Sequence, residues 1–467
     1  MLSSLGLISG RVMAVALVVG AGVALAPRAA FAVGEEITDI RVLGNQRTEE
    51  STILSIAGIS IGNVVETDTM DMIRERLNTT GLFSDVNVWW EPHASGVRVN
   101  ISVTDKFPWA PVPTVSLSAN NKAAGLLFVH GNLFGRGKQL LLGGRVASID
   151  SGAALGYRDP SLFGTWIYWQ LQASVQRQVI PEFDNSGSLK DPAVIRETRL
   201  LSFGLEPSIG IAWLRRVKTQ VGWRIEQFRP FGLNDGSFVP GTDTPLQDAT
   251  QPGVIGVGRA ALSFDFRARE FAVMRGAALS GAVDYAAPGF GSDFTYWRAG
   301  ASWEQGFRIF KRHNFIYFAN ANTGHNLPFF AEATAGGNNL RGYLVQQFRG
   351  DTQLAGKVEY HFPLFSIGSL DFRALGFYDL SAVWFRENPT LIPITDGGRD
   401  YGMRETPDGR TYPSNLPRGF TFKDSVHNAV GGGFRFFLRS VAVPLVGFDA
   451  GYGIEARNWR FILIVGA

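Results

Sequence analysis

Apolar and polar residues alternate in many segments of this chain, and this period of two most constrains its fold. In residues 259–267 the apolar set is Ala260, Leu262, Phe264 and Phe266, and the opposing polar set is Arg259, Ser263, Asp265 and Arg267. Side chains of a β-strand point alternately to opposite faces, so this pattern predicts a strand with one apolar face. Residues 165–176 repeat it. Strands that turn apolar side chains outward and polar ones inward are typical of a lipid-embedded β-barrel.

The strand pattern recurs sixteen times from Val112 onward. The predicted strands are 112–119, 125–130, 137–148, 152–157, 165–179, 196–208, 216–228, 254–266, 276–285, 294–307, 314–323, 352–362, 370–384, 428–437, 445–453 and 459–466. An even number suits a single-chain bacterial barrel. The long connections, 180–195, 229–253, 324–351 and 385–427, all follow odd-numbered strands. With a periplasmic N-terminus, the long loops lie outside the cell, an asymmetry that a soluble all-β domain would not need.

Composition excludes several classes of protein. The 467 residues include 55 glycines, 12% aromatic and 18% charged residues, which suits strands and turns better than a helical enzyme. The absence of cysteine excludes a disulfide framework, a thiol nucleophile and Cys-ligated zinc. A net charge of +3 gives no reason to expect nucleic-acid binding. The histidines lack metal-ligand spacing, and the chain has no Walker loop or G-x-S-x-G elbow. We therefore expect no catalytic residue, metal or cofactor, and no enzyme.

Residues 1–32 have the pattern of a secretory signal peptide. Arg11 supplies a positive charge, residues 12–26 form an apolar run, and Ala30-Phe31-Ala32 fits an A-x-A cleavage site. The mature chain is expected to begin at Val33, and an uncleaved helical anchor is the alternative. No later stretch approaches the roughly 18 uninterrupted apolar residues of a spanning helix.

A compact α/β domain is predicted over residues 35–106, ahead of a barrel over 112–467. Its elements are a strand at 37–43, helices at 49–57 and 68–78, and strands at 86–91 and 97–103. Thr48 and Thr67 are the expected helix caps, because a hydroxyl before a helix can accept from its first N–H groups. The order is β-α-α-β-β, and a merely structural capping domain is the alternative.

A glycine-rich loop occupies residues 336–343, with the sequence G-G-N-N-L-R-G-Y. Glycine allows tight backbone turns, so this loop can fold inward. Arg341 is its single charged side chain. Glu359 and Asp379 fall on the polar faces of the two following strands, which in a closed barrel face the lumen. An infolded loop would therefore bring Arg341 to two carboxylates. A surface turn with a solvated Arg is the alternative.

Four motifs in this order resemble the barrel motifs of the BamA/TamA outer-membrane assembly family. They are N-L-R-G-Y at 339–343, V-E-Y-H-F-P at 358–363, G-F-Y-D-L at 376–380 and G-G-G-F-R-F at 431–436. The turns at 131–137 and 157–160 also resemble family turns, and 35–106 resembles a single POTRA domain. The resemblance makes Asp379 the first-choice partner of Arg341, because Asp379 occupies the family's F-x-D position. Glu359 is the second choice.

The resemblance implies a bacterial outer-membrane protein with a periplasmic POTRA domain, acting in insertion or translocation of other proteins. The residues that fix the infolded loop to the barrel wall, here called the loop lock, would be Leu340, Arg341, Gly342 and Tyr343. Outer-membrane lipids and unfolded client proteins are the expected partners, and periplasmic accessory proteins are further candidates. A two-partner-secretion translocator, a porin or lipid-handling barrel, and a structural anchor are the alternatives. The chain departs from the family in having room for one POTRA domain and in ending Val465-Gly466-Ala467 without a terminal aromatic residue.

Two further expectations concern client handling. By resemblance to POTRA domains, an edge strand should bind a client by strand addition. Its residues are Val86, Asn87, Val88, Trp89, Trp90 and Glu91. A weak seam is also expected between the first and last barrel strands. The first is predicted to start after Pro108, Pro111 and Pro113, and the last is short with Gly466 near its end.

Overall fold

The structure is a computed structural model of the chain. It describes residues 33–185, 187–214, 216–231, 252–270, 272–386, 392–396, 399–405, 411–413, 419–438 and 444–466. The predicted signal peptide, residues 1–32, lies outside the described residues. Within these ranges, no helix combines the length and the apolar character needed to cross a membrane.

The N-terminal domain is a three-stranded sheet with two helices. The elements in chain order are β1 (Ile37–Leu43), α1 (Glu50–Ala57), α2 (Thr69–Thr79), β2 (Phe83–His93) and β3 (Gly96–Asp105). The sheet order is β1-β3-β2, with β1 parallel and β2 antiparallel to β3. Ile53 and Ala57 of α1 and Ile73 and Leu77 of α2 recur every four residues, so each helix buries one stripe against the sheet. The predicted β-α-α-β-β order is confirmed.

The predicted helix caps are wrong. Glu49 and Asp68 are the N-cap residues, and neither makes a side-chain capping bond. The Thr48 hydroxyl instead donates to the carboxylate of Asp105 at the end of β3. A hydrogen bond from a hydroxyl to a carboxylate is stronger than a hydrogen bond between a hydroxyl and a backbone N–H at a helix end. The long-range contact with Asp105 therefore replaces the local cap.

The rest of the chain forms a closed antiparallel barrel of sixteen strands, as predicted. The strands are β4 (Trp109–Leu117), β5 (Lys122–Leu133), β6 (Lys138–Ala147), β7 (Asp150–Asp159), β8 (Ile167–Asp184), β9 (Ala193–Leu214), β10 (Val217–Pro230), β11 (Gly253–Asp265), β13 (Val273–Ala286), β14 (Tyr296–Ile309), β15 (His313–His325), β18 (Thr352–Ile367), β19 (Leu370–Trp384), β23 (Val426–Leu438), β24 (Pro444–Gly453) and β25 (Asn458–Val465). A short strand, β12 (Ala268–Glu270), continues the β11 side of the sheet along β13.

Smaller elements occupy the connections. The long loop between β15 and β18 contains β16 (Ala333–Ala335) paired with β17 (Phe348–Gly350). Between β19 and β23, the segments β20 (Ile392–Asp396), β21 (Arg399–Glu405) and β22 (Thr411–Pro413) form a separate sheet, followed by α3 (Phe422–Ser425). Three 3-10 turns span Leu162–Gly164, Pro288–Phe290 and Phe329–Ala331.

Two details of the predicted barrel are corrected. The connection predicted at 180–195 is shorter, because β8 extends to Asp184 and β9 begins at Ala193. Pro111 and Pro113 lie inside β4 and do not precede it. Proline is tolerated on an edge. In the part of the chain that the structure describes, residues 109–114 of β4 have no partner on the β25 side, so the missing N–H groups cost little there.

The two faces of the barrel follow the predicted alternation. Phe203, Trp223, Leu262 and Trp303 are exposed on the outer surface, as is typical of the lipid-facing side of a membrane barrel. Buried polar residues, among them Asp284, Arg373 and Asp379, lie on the inner face. The connection between β15 and β18 is long and starts from the end of the barrel opposite the N-terminal domain, whereas most turns at the domain's end are tight.

Candidate functional site

The loop between β15 and β18 folds back into the lumen. The β16–β17 hairpin leads its tip, residues 336–347, down to the inner wall formed by β18, β19, β23 and β24. Leu340, Arg341 and Tyr343 are 0%, 3% and 2% exposed, so the motif is buried inside the barrel. The lumen at this height is therefore filled by protein, and water is excluded from the motif.

Arg341 contacts three carboxylates from three strands. Its Nε and Nη2 atoms donate to the two carboxylate oxygens of Asp379 on β19, at 2.7 and 2.6 Å, and its backbone N–H donates to the same group at 3.0 Å. Nη1 donates to Glu359 on β18 at 2.8 Å and to Asp449 on β24 at 3.1 Å. The guanidinium carbon lies 3.3 Å from the ring centroid of Phe377. A planar fork can make this two-bond contact, and a lysine cannot.

Further charges balance this cluster. Arg435 on β23 donates two bonds to Asp449, at 2.6 and 2.8 Å. The Nε2 atom of His361 lies 2.8 Å from a carboxylate oxygen of Glu359. Lys357 donates to the backbone carbonyl of Asn338 in the loop. Arg341, Arg435 and Lys357 thus face the carboxylates of Asp379, Glu359 and Asp449. A buried charge is tolerated only when it is paired in this way.

The structure brings Arg341, Asp379 and Glu359 together, and it adds Asp449, which the sequence reasoning missed. Asp449 lies on β24 with the buried parity of Gly451 and Gly453, so the inward–outward alternation of that strand contained the signal. The polar faces of β18 and β19 were considered for partners, but that of β24 was not.

Glycine makes the close approach of the loop possible. At Gly342 φ is +98°, and a Cβ atom there would lie 2.5 Å from the backbone nitrogen of Gly453 on β24. At Gly451 a Cβ atom would lie 2.9 Å from the Cβ atom of Arg341. Any side chain at either position would push the loop off the wall.

Tyr343 forms a second anchor of the loop. Its hydroxyl donates to Glu455, beyond β24, and lies 3.1 Å from the backbone carbonyl of Asn428 on β23. Its ring packs against Phe348, which in turn stacks on His427 with centroids 3.6 Å apart. Arg341 and Tyr343 therefore hold the loop to four neighbouring strands by separate contacts.

The predicted edge strand is β2 of the N-terminal domain. Only β3 pairs with it among the described residues, so its other side is an edge, and β1 is the second edge of the sheet. Val86 and Val88 are buried, whereas Asn87 and Trp89 are exposed. Arg74 of α2 donates to the backbone carbonyl of Val88 at 3.2 Å. The peptide groups of Val88 therefore point away from β3, toward the unpaired edge.

Glu91 takes part in an ionic bridge across the sheet. Arg98 of β3 donates to Asp39 of β1 and, at 3.1 Å, to Glu91 of β2. The hydrogen bond from Arg98 lowers the pKa of the Asp39 carboxyl and that of the Glu91 carboxyl. Both groups are exposed, so this bridge orders the strand more than it stabilises the domain.

A contact between the domain and the barrel was not predicted. The side-chain amide of Asn132, in β5, makes both contacts. Its nitrogen donates to the Thr48 hydroxyl at 2.8 Å, and its oxygen accepts from the backbone N–H of Gly137 at 2.8 Å. The Glu49 N–H donates to the carbonyl of Gly135 at 2.9 Å. Burial raises the pKa of the Asp105 carboxyl, but the hydrogen bonds from Thr48 and from neighbouring backbone N–H groups outweigh it, so that pKa lies below its usual value. The end of β5 and the β5–β6 turn thus hold the N-terminal domain.

The barrel closes through a short seam. Among the described residues, only three pairs join β25 to β4, namely Leu463 with Leu117, Ile464 with Ser116, and Val465 with Val115. The next shortest ladder, between β6 and β7, has seven pairs. Gly466 adopts φ +68° directly after β25, and a Cβ atom there would lie 1.9 Å from the carbonyl oxygen of Pro113. Only glycine fits this close approach to β4.

A sixteen-stranded barrel with a three-pair seam, a buried loop fixed by one arginine and a preceding β-α-α-β-β domain defines a class of outer-membrane barrel. The model of the Omp85 superfamily domain matches residues 132–399, which is more than half of the chain. The protein therefore belongs to the Omp85 superfamily. This confirms the family prediction, and it assigns a general role in insertion or translocation of proteins at the bacterial outer membrane.

Solved structures show the same fold. The structure of BamA from Haemophilus ducreyi lacking POTRA domains 1–3 matches with a TM-score of 0.60 at 14% identity, covering 92% of this chain and 84% of that one. CdiB from Escherichia coli matches with a TM-score of 0.60 at 14% identity, covering 93% and 76%. CdiB from Acinetobacter baumannii gives 0.56 at 14% identity, covering 93% and 74%. No curated protein sequence matches the chain.

Proposed function

We propose that the protein is an insertase of the BamA/TamA type, which helps client barrels to fold into the outer membrane without enzymatic chemistry. The observation that carries this proposal is the three-pair seam between β25 and β4. Each ladder pair contributes modestly to closure, so a seam with fewer than half the pairs of the next shortest ladder opens at the lowest cost. An open seam exposes two strand edges at the level of the bilayer, where a client strand can pair.

The N-terminal domain, placed in the periplasm, is the proposed receptor for the client. The unpaired edge of β2 offers backbone donors and acceptors to an extended chain, and the exposed Trp89 offers apolar contact beside it. Asn132 at the end of β5 holds this domain one strand away from the seam. A client bound at β2 is thereby kept close to the proposed point of entry.

The loop lock has a supporting role. Arg341 and Tyr343 join β18, β19, β23 and β24, and β24 is the neighbour of the seam strand β25. We propose that the lock keeps this wall rigid, so that opening is confined to the seam. Without the lock, the final strands would move as the seam opens, and a client would meet no defined edge.

Secretion of a client through the lumen is the second candidate. A lumenal cavity of about 650 Å³ is lined by the amides of Gln139, Gln170, Gln172 and Gln176 together with the charged side chains of Arg158, Glu206, Arg224 and Glu226. Amide side chains can donate to and accept from any polypeptide backbone, which suits a passing chain.

Depletion of the protein, followed by a census of outer-membrane and secreted proteins, tests the proposal. An insertase predicts the loss of several unrelated barrel proteins from the outer membrane. Loss of one secreted protein with unchanged barrel proteins would favour translocation through the lumen. An unchanged census together with lost single-channel conductance would instead indicate a porin.

A further inference from the structure

The hairpin turn between β14 and β15 has an unusual backbone. Phe310 and Lys311 adopt φ of +45° and +63°. Consecutive left-handed residues in a hairpin are normally Asn and Gly, because a bulky side chain is disfavoured in this conformation. Phe310 is also 79% exposed. A strained turn that displays a large apolar side chain indicates a function for that side chain.

The ring of Phe310 belongs to the lipid-facing surface. It packs edge-on against His313, with centroids 5.7 Å apart, and His313 Nδ1 lies 2.8 Å from the hydroxyl of Tyr360. His313 shares its parity on β15 with Phe315 and Tyr317, which pack against the exposed Phe307 of β14. Phe310 therefore ends an aromatic belt on the outer face of the barrel, at the rim nearest the N-terminal domain. Such belts lie at the level of lipid headgroups.

Two basic residues follow this ring in the turn. Lys311 and Arg312 are exposed at the same turn. Arg312 Nη2 donates to Ser366 and Asp371 at 3.0 and 2.9 Å. Asp371 is buried on the inner face with Arg373, so the Arg312 guanidinium is turned toward the lumen, and Lys311 is the remaining exposed cation of the turn. Exposed apolar side chains continue along the next turn at Phe365 and Ile367. An apolar rim that carries cations fits an amphiphile with a negative head and an apolar tail.

We propose that the turn at Phe310 and Lys311 binds the phosphate headgroup of an anionic phospholipid in the leaflet on the side of the N-terminal domain. Phe310 packs against the upper part of an acyl chain, and Lys311 faces the phosphate. The strain of the turn is retained because a relaxed Asn-Gly turn would offer neither group. This inference rests on the proposed placement of the barrel in a bilayer.

Native mass spectrometry of the full chain in detergent, titrated with phosphatidylglycerol or phosphatidylcholine, tests the site without any assay of client insertion. The wild type is expected to prefer phosphatidylglycerol. Lys311→Gln should reduce this preference about fivefold, which corresponds to about 1 kcal/mol for one cation near an anionic lipid. The double variant Phe310→Asn/Lys311→Gly should lose the preference while its thermal midpoint shifts upward, because the strain is relieved. That upward shift shows that the loss of binding is not a loss of folding.

Arg457→Gln is the matched control, since Arg457 is an exposed cation with φ +49° in a turn at the opposite end of the barrel. It should bind phosphatidylglycerol like the wild type. Glycerol phosphate in large excess should not displace the lipid, because the acyl contact is part of the site. Unchanged lipid preference in both turn variants, or displacement by glycerol phosphate alone, would overturn the proposal. Either result leaves the proposed insertase function intact, because client insertion is measured separately.

Discussion

Replacement of Arg341 by alanine should release the infolded loop from the wall. The side chain is 3% exposed and its partner Asp379 is 0% exposed, so the pair is shielded from water. Breaking a buried ion pair by removing one partner costs roughly 3 to 5 kcal/mol, whereas an exposed pair contributes only about 0 to 1 kcal/mol. Asp449 keeps Arg435, but Asp379 loses both of its side-chain bonds from Arg341. We therefore expect a cost near the lower end of the buried range, about 3 kcal/mol.

Proteolysis of the folded barrel measures this cost. If the loop opens and closes faster than it is cut, cleavage follows the open population, and 3 kcal/mol raises that population by about a hundredfold. Proteinase K should then cut Arg341→Ala within residues 324–350 about a hundredfold faster than the wild type. Arg341→Lys should rescue this only in part, because an ammonium group cannot make the two parallel bonds. Arg457→Ala, at an exposed turn, is the control and should be cut like the wild type.

A double-mutant cycle decides whether Asp379 is the partner that matters. Asp379→Ala should add little to Arg341→Ala, because both changes remove the same interaction. Fully additive increases in cleavage would refute the pairing, and a wild-type cleavage rate in Arg341→Ala would refute the loop lock itself.

Three further outcomes follow from other contacts. Val88→Pro removes a backbone donor on the free edge of β2 and should reduce crosslinking of the domain to unfolded clients. Asn87→Pro is the control, because the N–H of Asn87 faces β3, and circular dichroism should show that this variant is unfolded. Equal crosslinking in Val88→Pro and the wild type would argue against strand addition. Gly342→Ala should reproduce the cleavage of Arg341→Ala, because its Cβ atom meets the backbone of β24. The pKa of Asp105 is lower in the folded state, so its stabilising effect is complete above its ordinary pKa of about 3.9 and is lost as pH falls through the folded value. Asp105→Asn should therefore flatten the acid limb of the stability curve of the domain, and an unchanged acid limb would exclude this role.

The sequence predicted the parts of the fold that depend on local pattern. The alternation in segments such as 259–267 is local, and all sixteen strands were located from it. The connection at 180–195 was predicted too long, because polar residues near the ends of β8 and β9 mask pairing that continues past the bilayer. Pro111 was left out of the first strand, predicted at 112–119, although an edge without a partner tolerates proline. Local rules could not show that β4 is such an edge.

Contacts between residues that are far apart in the sequence were harder to predict. Thr48 was assigned to a helix cap because its sequence neighbours favour one, whereas its partners, Asp105 and Asn132, are 57 and 84 residues away. Arg341 and its first two carboxylates were placed near one another because parity fixes which way a strand residue points. The same argument from strand parity could have predicted Asp449. The packing of Gly342 on Gly453 could not be predicted in this way, because it depends on how far the loop descends into the barrel.

The most direct test of the proposed insertase is a disulfide across its seam. The chain has no native cysteine, so Leu117→Cys with Leu463→Cys introduces a single bridge between paired residues of β4 and β25. Ala301→Cys with Ala321→Cys places a matched bridge in the long β14–β15 ladder. Facing residues of antiparallel strands lie within the Cα separation that a disulfide accepts.

Each variant is reconstituted in liposomes, and the folding rate of an added unfolded barrel protein is measured with the bridge oxidised and then reduced. The insertase proposal predicts that the oxidised seam variant loses its acceleration of client folding and regains it on reduction, while the β14–β15 control accelerates folding in both states. Full acceleration by a seam variant shown to be completely oxidised would contradict the proposal that clients enter through this seam.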